Sequence, residues 1–141
     1  MSDTLNAVLA ALSAGLPLLL LHFVVALVLL VVGVRLYMAI TPFDERRLIE
    51  AGNTAGGIVL AAAIIGLAMP LAATLATSAR VVDILLWGTV AIALQLITFG
   101  VFAALRRGLR QQIEDGNVAV ASILAAAQIA VGLLNAAAVS G

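Results

Sequence analysis

Four stretches of this chain stay apolar for the length of a membrane crossing. Residues 16 to 40 are interrupted only by His22 and Arg35, and residues 52 to 77, 84 to 105 and 116 to 139 carry no acidic or basic side chain. About 20 helical residues cross a hydrocarbon core of roughly 30 Å. Lipid offers the backbone no hydrogen bonds, so each segment must satisfy its own, as a helix does. The reading is an all-α membrane protein with four transmembrane helices. Composition agrees: 65% of residues are hydrophobic and 10% charged, against about a quarter charged in ordinary soluble domains. The solvent of this fold is a bilayer.

The same residues exclude several classes of function. Seven arginines balance seven acidic residues, with no lysine and no basic tract, so nucleic acid is not an expected partner. Cysteine is absent, which removes disulfides, thiolate metal sites and cysteine nucleophiles. Residues 1 to 15 form a leader whose only charge is Asp3. It lacks the positive charge of a signal peptide, and the apolar run after it is too long for one, so that run reads as a retained membrane helix. Leu5, Val8, Leu9 and Leu12 recur at helical spacing, which makes the leader a candidate interfacial helix or one packed on the bundle.

Thr41-Pro42-Phe43-Asp44 reads as a helix start, with Thr41 as cap and Pro42 in the first turn. The charged turns Asp44 to Arg47 belong to the headgroup layer and lead into the second span. A short connection, Ser78 to Asp83, carries Arg80, and Trp87 anchors the start of span three. Arg46 and Arg47 follow span one, and Arg106, Arg107 and Arg110 follow span three. The positive-inside rule places both of these connections in the cytoplasm and both termini outside.

Residues 49 to 55, Ile-Glu-Ala-Gly-Asn-Thr-Ala, return at 113 to 119 as Ile-Glu-Asp-Gly-Asn-Val-Ala, a shift of 114 − 50 = 64. The shift lays span one on span three and span two on span four. This divides the chain into two units, 16 to 77 and 78 to 141. Each holds an even number of spans, so the units are expected as parallel two-helix repeats about an axis along the membrane normal.

Tyr37, Thr41-Pro42, Glu45, the doubled Glu-x-Gly-Asn stretch, Pro70-Leu71, Ser78, Asp83, Trp87 and Gly132 to Ala136 together form a pattern spread over nearly the whole chain. It resembles the small bacterial inner-membrane family called domain of unknown function 350. The resemblance implies a multi-pass protein of the bacterial inner membrane with four spans, and it brings no established activity.

Glu50 and Glu114 are the first candidate functional residues. Arg46 and Arg110 lie four residues earlier, so each unit places an Arg and a Glu on one helix face at the cytoplasmic edge. The plain reading is an interfacial ion pair that seats the helix; the sharper one is a carboxylate pair near the bundle axis, binding a cation or relaying a proton. Asn53 and Asn117 follow on the same faces. With Gly52 and Gly56 in GxxxG spacing, they are expected in close helix packing. Asn117, Gln128 and Asn135 fall within roughly 20° of one line on a helix, a polar stripe suited to interhelical hydrogen bonds or to lining a narrow path. The lone His22 has no clustered partner for a metal or haem, and Asp83 is its candidate neighbour.

No nucleophile with an adjacent base, no phosphate-cradling loop and no metal spacing is present in the sequence. The expectation is therefore no enzyme, no cofactor and no metal. The functional reading is a homo-oligomeric membrane component contacting the lipid bilayer and membrane-associated partner proteins. The alternative is a small channel or cation/proton-coupled transporter using Glu50 and Glu114.

Overall fold

The computed structural model describes residues 2–141, so the leader's Met1 lies outside the described residues. Six α-helices follow one another: α1 (Ser2–Ile40), α2 (Glu45–Glu50), α3 (Thr54–Thr77), α4 (Val81–Leu105), α5 (Leu109–Glu114) and α6 (Val118–Ser140). α1, α3, α4 and α6 are each long and apolar enough to cross a membrane. Under the 64-residue shift, α2 falls on residues 109–114, the bounds of α5, and α3 begins where α6 begins.

Two details differ from the sequence reading. The leader and span one are a single helix that runs through Pro17. A proline there removes only one N–H and crowds the carbonyl of Ser13, and the surrounding Leu and Ala residues are strong helix formers. The second difference is that charged turn and second span are separate helices, α2 and α3, broken at residues 51 to 53. α2 starts later than Thr41 suggested: Asp44 is its cap, accepting from Arg47 N at 3.1 Å.

Glycine contacts fix the packing register. Gly33 of α1 lies against Ile92 and Leu67, and Gly88 of α4 lies against Leu29 and Leu71. The offset between α1 and α4 is constant, 92 − 33 = 88 − 29 = 59, so they run parallel. α3 runs against both, since 33 + 67 = 29 + 71 = 100. By the same register His22 stands level with residues 78 and 81, where α3 ends and α4 begins. Every residue from Asp3 to Leu21 is exposed, beyond that level.

The most extensive helix contact is between α3 and α6. Gly66 and Gly132 meet there so closely that a Cβ at Gly132 would stand 2.4 Å from the Gly66 carbonyl oxygen. Around α3 and α6, toward the charged end, the core gathers Tyr37, Phe43, Val59, Phe99, Leu109, Ile113 and Leu124. Phe99 is edge-on to both Tyr37 and Phe43, with centroids 5.4 and 6.3 Å away, a favoured aromatic geometry. These contacts pin the linker after α1 to the end of the bundle.

Candidate functional site at the charged end

The doubled stretch forms the same joint twice. At the end of α2, Gly52 N donates to Ile49 O at 2.9 Å and Asn53 N to Leu48 O at 2.8 Å; at the end of α5, Gly116 N donates to Ile113 O at 3.0 Å and Asn117 N to Gln112 O at 2.8 Å. Both are Schellman caps, which require a left-handed residue after the helix. Gly52 and Gly116 supply it at φ 76° and 81°. Each asparagine then caps the next helix, Asn53 Oδ1 accepting from Gly56 N at 2.9 Å and Asn117 Oδ1 from Val120 N at 3.2 Å. The expectation that Gly52 packs another helix is therefore corrected: a Cβ there would meet nothing within 4 Å. Gly56 does lie in close packing, against Leu48.

The two joints touch. Asn53 Nδ2 donates to the carbonyls of Ile113 and Glu114, each at 3.0 Å, so the first joint also covers the carbonyl end of α5. Among the described residues the amide nitrogen of Asn117 makes no corresponding bond, and its side chain is exposed.

The Arg–Glu pairs are equally unequal. Arg110 Nε meets Glu114 Oε1 at 2.9 Å, whereas Arg46 and Glu50 are exposed and form no ion pair among the described residues. Glu114 lines an open cavity of about 730 Å³ with Met38, Thr41, Phe43, Asp44, Glu45, Arg47 and Arg110. Glu50 is not part of its wall.

Glu45 is the residue that sequence reasoning placed among the headgroups and the structure buries, at 1% exposure. Thr41 Oγ1 bonds its Oε1 and lies 3.1 Å from the Met38 carbonyl. Burial pushes the Glu45 carboxyl above the ordinary carboxylate range, further than the Thr41 hydroxyl and its own backbone N–H hold it down, and neighbouring Asp44 adds to the rise. The available signal was the i, i+4 spacing of Thr41 and Glu45 around buried Phe43.

Halfway along the spans lies a second polar group. Gln128 Nε2 donates to Tyr37 Oη at 2.6 Å, and Gln95 Nε2 donates to the Gln128 carbonyl at 2.9 Å. All three residues are at most 1% exposed, and among the described residues Oε1 of Gln95 and of Gln128 has no partner. Gly66 makes the slot, since a Cβ there would stand 2.2 Å from Gln95 Nε2. The stripe of Asn117, Gln128 and Asn135 is thus divided: a helix cap, a buried interhelical clasp, and a half-buried Asn135 without a side-chain hydrogen bond among the described residues. Gln95, the sole amide of span three, was the signal passed over.

His22 is 7% exposed and its Nε2 has no partner among the described residues. Asp83, its expected neighbour, instead pairs with Arg80 at 3.2 Å. Among the described residues no three His, Cys, Asp or Glu side chains are placed to hold a metal.

The family Domain of Unknown Function (DUF350) matches residues 11–139. The chain is also similar to the UPF0719 inner membrane protein YjfL of Escherichia coli, in strain K12 and in O157:H7. Each is 27% identical over 116 residues, covering 82% of this chain and 88% of the relative. No solved structure matches. Four apolar helices, the duplicated Glu-x-Gly-Asn joints and a match over nearly the whole length give one conclusion: the chain belongs to the DUF350 family of multi-pass inner-membrane proteins.

Proposed function

We propose that the protein is a non-enzymatic, oligomeric component of the inner membrane whose α2 and α5 end contacts partner proteins or lipid headgroups. The observation that carries this reading is the charged end itself. Arg46 and Arg47 on α2, Arg106 and Arg107 in the turn before α5, and Arg110 on α5 are all exposed there, and paired caps fix the ends of the two short helices to the bundle. Beneath them the helices meet through Gly66 and Gly132, and Tyr37, Gln95 and Gln128 are clasped together by two buried hydrogen bonds. This favours a rigid platform over a passage. The coincident bounds of α2 and α5 and the coincident starts of α3 and α6 under the 64-residue shift support parallel repeats, and the arginines support a cytoplasmic charged end with both termini periplasmic.

Reconstitution in nanodiscs tests it. The expected result is an oligomer that retains a membrane protein partner or anionic lipid, with retention weakened when Arg106, Arg107 and Arg110 become Gln. A monomer that retains neither would overturn the reading. A transporter is the second reading, favoured by the three buried polar residues at mid-depth, Tyr37, Gln95 and Gln128. Liposome flux of protons or common cations that vanishes in Glu50→Gln plus Glu114→Gln supports it; silence toward those ions counts against it.

A further inference from the structure

We propose that Glu45 is a proton-binding site, its carboxyl group protonated while it is bonded to Thr41 just after α1 and releasing that proton to water in the adjoining cavity. The site does not depend on the platform reading; it rests on hydrogen count, burial and the positions of charge.

The hydrogen count comes first. Thr41 Oγ1 is within bonding distance of two oxygens, the Met38 carbonyl and Glu45 Oε1. A hydroxyl has one hydrogen. The Met38 carbonyl can only accept, so both contacts are two-centre hydrogen bonds at once only when Glu45 carries a proton and donates it to Thr41 Oγ1. In the ionised form the carboxylate takes the Thr41 hydrogen and the Met38 contact lapses.

Burial favours the same state. Glu45 is 1% exposed, and among the described residues no arginine lies within ion-pair distance of it. An isolated carboxylate out of water is costly and neutralises instead. Among the described residues no ion pair offsets this cost. From its own segment, Asp44 is a like charge and Arg47 lines the cavity unpaired; from α5, Arg110 is already held by Glu114. From α1, Tyr37 offers a neutral hydroxyl engaged with Gln128. α3 carries no titratable side chain, and Arg106 and Arg107 after α4 are exposed and outside the cavity wall.

The chain contains three glutamates, Glu45, Glu50 and Glu114, and the other two are exposed. This makes the test possible on the unaltered protein. With glutamate carboxyl carbons labelled with 13C, NMR in nanodiscs follows all three through a pH titration. The expected result is one resonance titrating well above the ordinary glutamate value of about 4.3. That outlying resonance should persist in Glu50→Gln and in Glu114→Gln and disappear in Glu45→Gln. Three resonances titrating together near the ordinary value, or an outlier that disappears with Glu50 or Glu114 instead, would overturn the proposal. The native-protein spectrum decides even if Glu45→Gln does not fold.

Discussion

Asn53 and Asn117 hold equivalent places in the doubled stretch and make unequal bonds. Both cap a span, but Asn53 alone reaches across to the carbonyls of Ile113 and Glu114. Aspartate keeps the capping oxygen and loses the amide donors. Asn53→Asp therefore costs about 1–3 kcal/mol more than Asn117→Asp, by the stranding of acceptors, read by equilibrium unfolding in mild detergent. Equal losses would mean the cross-joint bonds contribute nothing. Glu45 gives a second prediction. Its folded pKa is raised above its unfolded value, so between the two the folded protein holds more protons. The contribution of Glu45 to stability is therefore fully present below the ordinary carboxylate range and is lost as pH rises through that window. Glu45→Gln flattens this fall, as pH-dependent unfolding would record; a native protein that gains stability across the same window contradicts it. Spacing alone did not reveal the role of the asparagines, because a capping asparagine and a packing asparagine look alike until φ of the preceding glycine is known.

At the scale of elements, the bundle turns on the crossing of α3 and α6. Pro70 has no N–H for the Gly66 carbonyl four residues back, and that carbonyl rests on Gly132. The contact is backbone against backbone, so a methyl group at residue 132 has nowhere to go. Gly132→Ala is expected to cost about 1–3 kcal/mol, in the range of overpacked cores, and to disturb the Gln95–Gln128 bond beside it. Gly57→Ala and Gly100→Ala, where a Cβ meets nothing within 4 Å, stay within about 0.5 kcal/mol. Thermal unfolding of the three variants checks the order, and a tolerant Gly132 would show that the helices separate easily. The four spans were legible in the sequence because hydropathy is a property of each segment alone. This crossing was not, since Gly66 and Gly132 lie apart in sequence and do not map onto each other under the 64-residue shift.

For the whole molecule, length is the open physical question. α1 has 39 residues, about 58 Å at 1.5 Å per residue, nearly twice the hydrocarbon thickness. The register with α3 and α4 assigns the part after His22 to the bundle, leaving Asp3 to Leu21 beyond its far end. Leu5, Val8, Leu9 and Leu12 are each more than half exposed, and burying such side chains contributes about 1.5–3 kcal/mol apiece. Water is therefore a poor medium for this segment, while Pro17 lowers the resistance of the helix to bending near the bundle's edge. The leader is expected to bend there and lie along the membrane surface, its leucines at the acyl boundary and Asp3 in water. Spin labels at Leu9 and Leu27 measure this in nanodiscs. Leu27 should be accessible to oxygen and closed to polar relaxers; Leu9 should sit at an intermediate depth. A label at Leu9 as open to polar relaxers as one at Ala79, in the connection after α3, would place the leader in water instead. Full protection at Leu9 would place it in hydrocarbon and require the bundle to sit deeper than its charged end suggests.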